Sequence, residues 1–86
     1  MRYFFSKIFE KKFDKLDVRI QNAFYKRFDF FCEDTFSPLL NNHSVDSPYK
    51  NTRSINVTGD YRALFVLELD TAIIFTSIGT HSELYD

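Results

Sequence analysis

The chain has 86 residues and a mass of 10.3 kDa, room for a single domain, 1–86, with a thin stability margin. Its 44% apolar and 27% charged residues are an ordinary globular balance that excludes disorder as the main state, and its lone Cys32 excludes an internal disulfide and an all-Cys zinc site. Net charge is −1 but unevenly spread, +5 over residues 1–27 and −6 over residues 28–86, so a basic surface facing nucleic acid is expected only locally, in the first half.

Arg2 to Phe5 is short, aromatic and free of Gly and Pro, which predicts a strand, and Ser6 is placed to cap the helix that follows. From Phe5, the apolar residues Phe9, Phe13, Leu16, Ile20 and Phe24 recur at steps of three and four, the helical period, with Lys7, Glu10, Lys11, Asp14 and Lys15 on the other side. Asp17 can cap a second helix, whose face continues through Phe28 and Phe31 to about Glu33. Residues 36–52 hold both prolines, Pro38 and Pro48, with Asn41 and Asn42, and read as a long loop of the kind that carries function. Arg53 to Val57 alternates, with Ile55 and Val57 on one face and Ser54 and Asn56 on the other; Thr58-Gly59-Asp60 signals a hairpin. Tyr61 to Leu69 and Ala72 to Ile78 are further strand runs, separated by Asp70 and Thr71 and ended by Gly79, and Thr80 to Asp86 reads as a polar tail. The order β-α-α-β-β-β predicts an α+β domain with two N-terminal helices packed on one face of an antiparallel sheet.

No Gly-rich phosphate loop and no metal-ligand spacing are present, and no Ser sits on a nucleophile-elbow pattern, so neither a cofactor nor a metal is expected. The longest uncharged stretch, Thr71 to Ser82, is too short and polar to span a bilayer, and the N-terminus lacks a signal-peptide pattern, so a cytoplasmic protein without a membrane partner is expected. What remains is metal-free acid–base work. His43 and His81 are of the residue type suited to proton transfer, Asp60 lies in the hairpin turn, Arg53 and Arg62 lie on its strands, and Tyr85 follows His81 by four residues. A sheet face bearing His, Arg, Asp and Tyr suits cleavage of RNA through its own 2′-hydroxyl: a base removes the proton, an acid protonates the 5′-oxygen, and a cation stabilises the charged phosphorus centre. Each residue also has an ordinary use. His81 can satisfy a turn hydrogen bond, Asp60 is a common turn residue, Arg62 can pair with Glu68, and Tyr85 can plug the core. Residue types and spacing leave both readings open.

The run Arg53-Ser54-Ile55-Asn56-Val57-Thr58-Gly59-Asp60-Tyr61-Arg62-Ala63-Leu64-Phe65, followed by Ile78-Gly79-Thr80-His81-Ser82-Glu83-Leu84-Tyr85, resembles the RelE/ParE toxin superfamily, and within it the YafQ-like mRNA interferases of bacterial type II toxin–antitoxin systems. Leu40-Asn41-Asn42-His43 and the opening Tyr3 to Phe9 are similar to the same group. The resemblance implies ribosome-dependent cleavage of mRNA in the A site, blocked by a cognate antitoxin. It implies acid–base roles for His43 and His81, a site carboxylate at Asp60, an aromatic that stacks on the nucleotide at Tyr85, and phosphate contacts or charge stabilisation from Arg62 and Arg53. Lys50 in the loop and Asn56 on the sheet complete the expected substrate-binding set; at Asn56 the YafQ pattern has another histidine. The partners implied are antitoxin, ribosome and mRNA. Two alternatives stand beside this: a ParE-like inhibitor of DNA gyrase, and a degenerate toxin that keeps only antitoxin binding. The N-terminal helices could also lie on a membrane surface, but their spacing assigns the aromatics to the core. Ile8, Val18 and Ile73 are more apolar surface than one small core accommodates, so part of it is expected to meet a partner.

Overall fold

The structure, a computed structural model, describes residues 1–45 and 49–85. Asp46, Ser47 and Pro48 of the expected loop and Asp86 of the expected tail lie outside the described residues. The elements are β1 (Arg2–Phe5), α1 (Lys7–Asp14), α2 (Val18–Glu33), a 3₁₀ turn (Pro38–Leu40), β2 (His43–Val45), β3 (Thr52–Asn56), β4 (Tyr61–Glu68), β5 (Ala72–Thr80) and α3 (His81–Tyr85).

The helix starts follow the expected chemistry. Ser6 Oγ accepts the Phe9 N–H at 3.1 Å and Asp17 Oδ1 accepts the Arg19 N–H at 2.8 Å, each satisfying a donor that the helix leaves free. Gln21 Nε2 donates to the Phe13 carbonyl at 2.8 Å, clipping the end of α1 to the start of α2.

The sheet runs β1-β5-β4-β3-β2. It departs from the antiparallel expectation in one place: β1 pairs with β5 in parallel, Arg2 with Ala72 through Phe5 with Phe75, so the first and last strands lie side by side. The other pairs are antiparallel. The expected loop contains the 3₁₀ turn and the short edge strand β2, and the expected polar tail is helical over His81–Tyr85. These additions come from tertiary pairing that a three-residue strand and a five-residue helix do not announce by periodicity.

A bulge aligns the core. The β4–β5 register shifts between Leu64 and Phe65, so that Phe65 faces Phe75 and Ala63 faces Ile78. The extra residue lets Phe75 and Ile78, three apart, both reach the helix-covered face. There Phe9, Phe24 and Phe31 of the helices meet Ile55, Val57, Ala63, Phe65, Ile73, Phe75 and Ile78 of the sheet. Ile73 is core, while Ile8 and Val18 are exposed. Phe75 is fully buried and its ring stands 5.4–5.9 Å from those of Phe5, Phe9, Phe24, Phe28, Phe31 and Phe65. On the opposite face Leu64 and Ser54, a cross-strand pair, are fully buried, because α3 and the segment around Tyr49 lie on that side.

Phe75→Ala is expected to cost about 3–5 kcal/mol, a large share of the roughly 4–13 kcal/mol expected of a domain this size. Urea denaturation followed by circular dichroism measures it; a loss below about 1 kcal/mol would show that the ring cluster does not organise the core.

Candidate functional site

The uncovered end of the sheet is assembled at the junction of β5 and α3. Thr80 and Glu83 form a reciprocal cap: the Thr80 N–H donates to Glu83 Oε1 at 2.7 Å and the Glu83 N–H donates to Thr80 Oγ1 at 3.1 Å. The Thr80 bonds hold the Glu83 carboxyl below the usual carboxylate range against the opposing effect of burial, and the Lys12 ammonium adds to them. Gly79 sets the approach. A Cβ there would stand 3.1 Å from Glu83 Oε1 and 3.6 Å from Leu84 Cδ2, so glycine lets α3 fold back onto its own strand.

The β3–β4 turn is tied to this junction. The His81 N–H donates to the Asp60 carbonyl at 3.0 Å. Thr58 Oγ1 accepts the N–H groups of Asp60 and Tyr61, at 3.3 and 3.1 Å. Arg62 Nη1 donates to the carbonyls of Thr58, Gly59 and Tyr61 at 3.0–3.1 Å, so its charge is fixed beside the turn rather than paired with Glu68. His81 and Tyr85, one helical turn apart, bring their rings to 4.7 Å. Tyr49 braces the far end of α3: its hydroxyl donates to the Leu84 carbonyl at 2.9 Å and its ring stands 6.3 Å from that of Tyr85.

His81, Tyr85, Asp60 and Arg62 are therefore joined by a continuous set of bonds and ring contacts. Asn56 is the cross-strand partner of Arg62 and shares its face; its Oδ1 is buried without a hydrogen-bond partner, as are Ser54 Oγ and the Tyr85 hydroxyl. His43 opposes Ser54 at the far edge of the same face. Its Nδ1 lies 2.7 Å from the Asn41 carbonyl. A carbonyl only accepts, so Nδ1 carries the proton and neutral His43 keeps its lone pair on Nε2. Lys50 is exposed at the bend before β3.

Arg53 sits apart from Asn56 and Arg62. It pairs with Phe65 and so lies on the helix-covered side with Ile55, not with Asn56 and Arg62. Its Nε donates to Asn42 Oδ1 at 2.7 Å and its guanidinium lies 5.3 Å over the Phe36 ring. The alternation of β3 already separates Arg53 from Ser54 and Asn56. Its place is to hold the segment that leads into His43.

Three contributors to the site were not singled out from the sequence: Thr80, Glu83 and Tyr49. The first two carried a signal, the spacing Thr-x-x-Glu before an apolar residue, which marks a helix start. Tyr49 carried none. Between α1 and α3 a groove of about 290 Å3 runs past Lys12, Lys15, Tyr61 and Glu83, with Lys12 Nζ donating to Ser77 Oγ at 3.0 Å. Among the described residues no three His, Cys, Asp or Glu side chains converge as a metal site requires, and no helix is long and apolar enough to cross a membrane.

Two outcomes test this geometry. Glu83's folded-state value is depressed, so its stabilisation of α3 is complete above the ordinary Glu range and is lost as pH falls through that depressed value. An NMR titration of the Tyr85 ring is expected to show α3 releasing only below the ordinary Glu range, and Glu83→Gln is expected to remove that step. Gly79→Val should displace α3 while the main core stays folded, read as loss of the Tyr49–Tyr85 ring contact without a matching fall in cooperativity of unfolding. Retention of that contact would show that the close approach at Gly79 does not matter.

Among curated protein sequences none is significantly similar to this chain. Solved structures are. YafQ from E. coli superposes with a TM-score of 0.82 at 21% identity over 100% of both chains, and a chain of the E. coli DinJ–YafQ complex with 0.78 at 21% identity, again over 100% of both. A chain of the RelB–RelE antitoxin–toxin complex of Methanococcus jannaschii superposes with 0.75 at 21% identity over 96% of this chain and 95% of that one. At 21% identity these likenesses are agreement of fold. A family profile described as "ParE toxin of type II toxin-antitoxin system, parDE" matches residues 3–85. The chain belongs to that toxin family, within the RelE/ParE superfamily.

Proposed function

We propose that this chain is the toxin of a type II toxin–antitoxin pair, that it cleaves mRNA in the ribosomal A site through the RNA's own 2′-hydroxyl, and that a cognate antitoxin holds it in check. The observation that carries the reading is the pairing of the His81 and Tyr85 rings at 4.7 Å, on a helix bonded to Asp60 and set beside the fixed guanidinium of Arg62. A stacked aromatic next to a titratable imidazole and a cation is what a nucleotide with a scissile phosphate needs.

The roles follow from the protons. His43 Nε2 takes the 2′-OH proton, and the 2′-oxygen attacks phosphorus. The bond to the 5′-oxygen breaks, and His81, protonated, supplies the proton that the leaving group needs. Arg62 stabilises the charge that builds on the phosphoryl oxygens, and Asp60 holds the turn at the His81 N–H. Tyr85 stacks on the base, and Asn56 and Lys50 contact the strand. The product is a 2′,3′-cyclic phosphate, and no metal is called on, because the nucleophile belongs to the substrate. The resemblance to antitoxin-bound relatives supports the partner, since DinJ–YafQ and RelB–RelE were solved as pairs.

The family description supports a second reading. The matched profile is named for ParE, which keeps the ParE-like gyrase inhibitor of the sequence resemblance as the alternative. Gyrase inhibition has no use for an imidazole beside Tyr85.

His81→Ala is expected to lower cleavage by about 10²–10⁴ while leaving the fold intact, and Tyr85→Ala to weaken it through lost stacking of about 1–3 kcal/mol per base. Ribosomes programmed with message carrying 2′-O-methyl at the A-site nucleotide should be left uncut, and EDTA that spares the ribosome should not inhibit. Cutting of the methylated message, or full activity of His81→Ala, contradicts the mechanism.

A further inference from the structure

On the helix side, away from the sheet face that carries His81, a cavity of about 400 Å3 opens between α1 and α2. Its floor is aromatic, formed by Phe9, Phe13 and Phe24, and its walls are Phe5 and Tyr25, the latter 55% exposed. The rings are ordered against one another: Phe9 and Phe13 stack at 5.6 Å, and Tyr25 stands edge-on to Phe13 at 5.4 Å. Two carboxylates, Glu10 and Asp14, line the same cavity. They are four residues apart on α1, so they lie one above the other and repel. Neither has a cation within 4 Å: the ion pair among the described residues is Arg19 with Asp17.

This combination selects its occupant. Ring faces are the negative part of the aromatic quadrupole and attract a cation, more so where water is displaced. The carboxylates add the same preference. A plain apolar side chain would satisfy the rings but strip water from two unpaired charges, and an RNA phosphate would be repelled. Two carboxylates at the mouth and aromatic walls fit an ammonium or guanidinium on an apolar stem, which is a lysine or arginine side chain.

We propose that this cavity seats one Arg or Lys side chain of the antitoxin, so that the antitoxin is anchored on the helix pair, at a place separate from the face that handles RNA. The partner's identity rests on the toxin–antitoxin reading above; the cation seat itself does not. It follows that the toxin presents two chemically opposite surfaces, a carboxylate-rimmed aromatic seat for protein and a histidine- and arginine-bearing face for RNA.

Two measurements separate the seat from its partner. The full chain is titrated by NMR with Nα-acetyl-arginine methylamide and, as the uncharged control, with the norleucine analogue. Saturable shifts of the Phe13 and Tyr25 ring protons are expected with the arginine probe alone, and the double variant Glu10→Gln/Asp14→Asn is expected to abolish them. Equal shifts with both probes, or shifts that survive in the double variant, overturn the cation seat. The same double variant is then compared with the unaltered chain for affinity to the protein encoded by the gene adjacent to its own. A loss of at least tenfold with a weaker salt dependence is expected, with an unchanged thermal midpoint and unchanged RNA cleavage in the absence of antitoxin. An affinity within twofold of the unaltered chain overturns the antitoxin as occupant. If the arginine probe binds as expected and the adjacent protein does not bind at all, the seat stands and the antitoxin reading falls.

Discussion

Phe75 lies where the two halves of the chain meet, and the rest of the structure is arranged around its burial. Through Phe5 and the parallel pairing of β1 with β5 it joins the first strand to the last; through Phe9, Phe24 and Phe28 it joins both helices; through Phe65 it joins β4. A chain of 86 residues buries a modest fraction of its surface, and large rings meeting edge to face are an efficient use of that surface. The constraint reaches the far end of β5. The bulge that lets Phe75 and Ile78 share the core face sets the phase in which the strand arrives at Gly79 and Thr80. That phase decides which side of the sheet α3 folds over.

The candidate site is thus a consequence of how β5 ends. Glycine at 79 removes the atom that would keep α3 away, and the Thr80–Glu83 cap starts the helix on the next residue. A helix begun there carries His81 and Tyr85 on one side, one turn apart. The hydrogen bond from His81 N–H to Asp60 and the triple engagement of Arg62 Nη1 lock the neighbouring turn to it. Arg62 illustrates how one side chain does two things: the bonds that stitch the turn are made by one nitrogen, and they hold its charge beside the site. His43 is positioned from the opposite edge, by Asn41 on its ring and by Arg53 on the preceding Asn42.

Much of this could be read from the amino acids in order. Ser6 and Asp17 announced both helix starts, the three-and-four spacing from Phe5 to Phe31 announced the buried stripe, and alternation announced β3. What escaped was set by contacts distant in sequence. Nothing local tells β1 to run parallel to β5, because the choice is made by Phe5 meeting Phe75. β2 is three residues long and exists through its pairing with β3. The alternation of β3 that turns Ile55 inward also turns Arg53 toward the helix side, away from Asn56. The Thr80-x-x-Glu83 cap was equally visible, masked by the polarity of the last seven residues. Tyr49 acts through a hydrogen bond to a carbonyl 35 residues away, a relation that the sequence does not encode locally.

The central claim is that His81 and its neighbours act on translated mRNA. Primer extension on a message expressed together with this chain tests it most directly, run beside an otherwise identical message whose start codon has been removed. The expected result is a set of new 5′ ends inside codons of the translated copy and none on the untranslated one. Equal cutting of both copies, or growth arrest with intact mRNA and loss of DNA supercoiling, would contradict it.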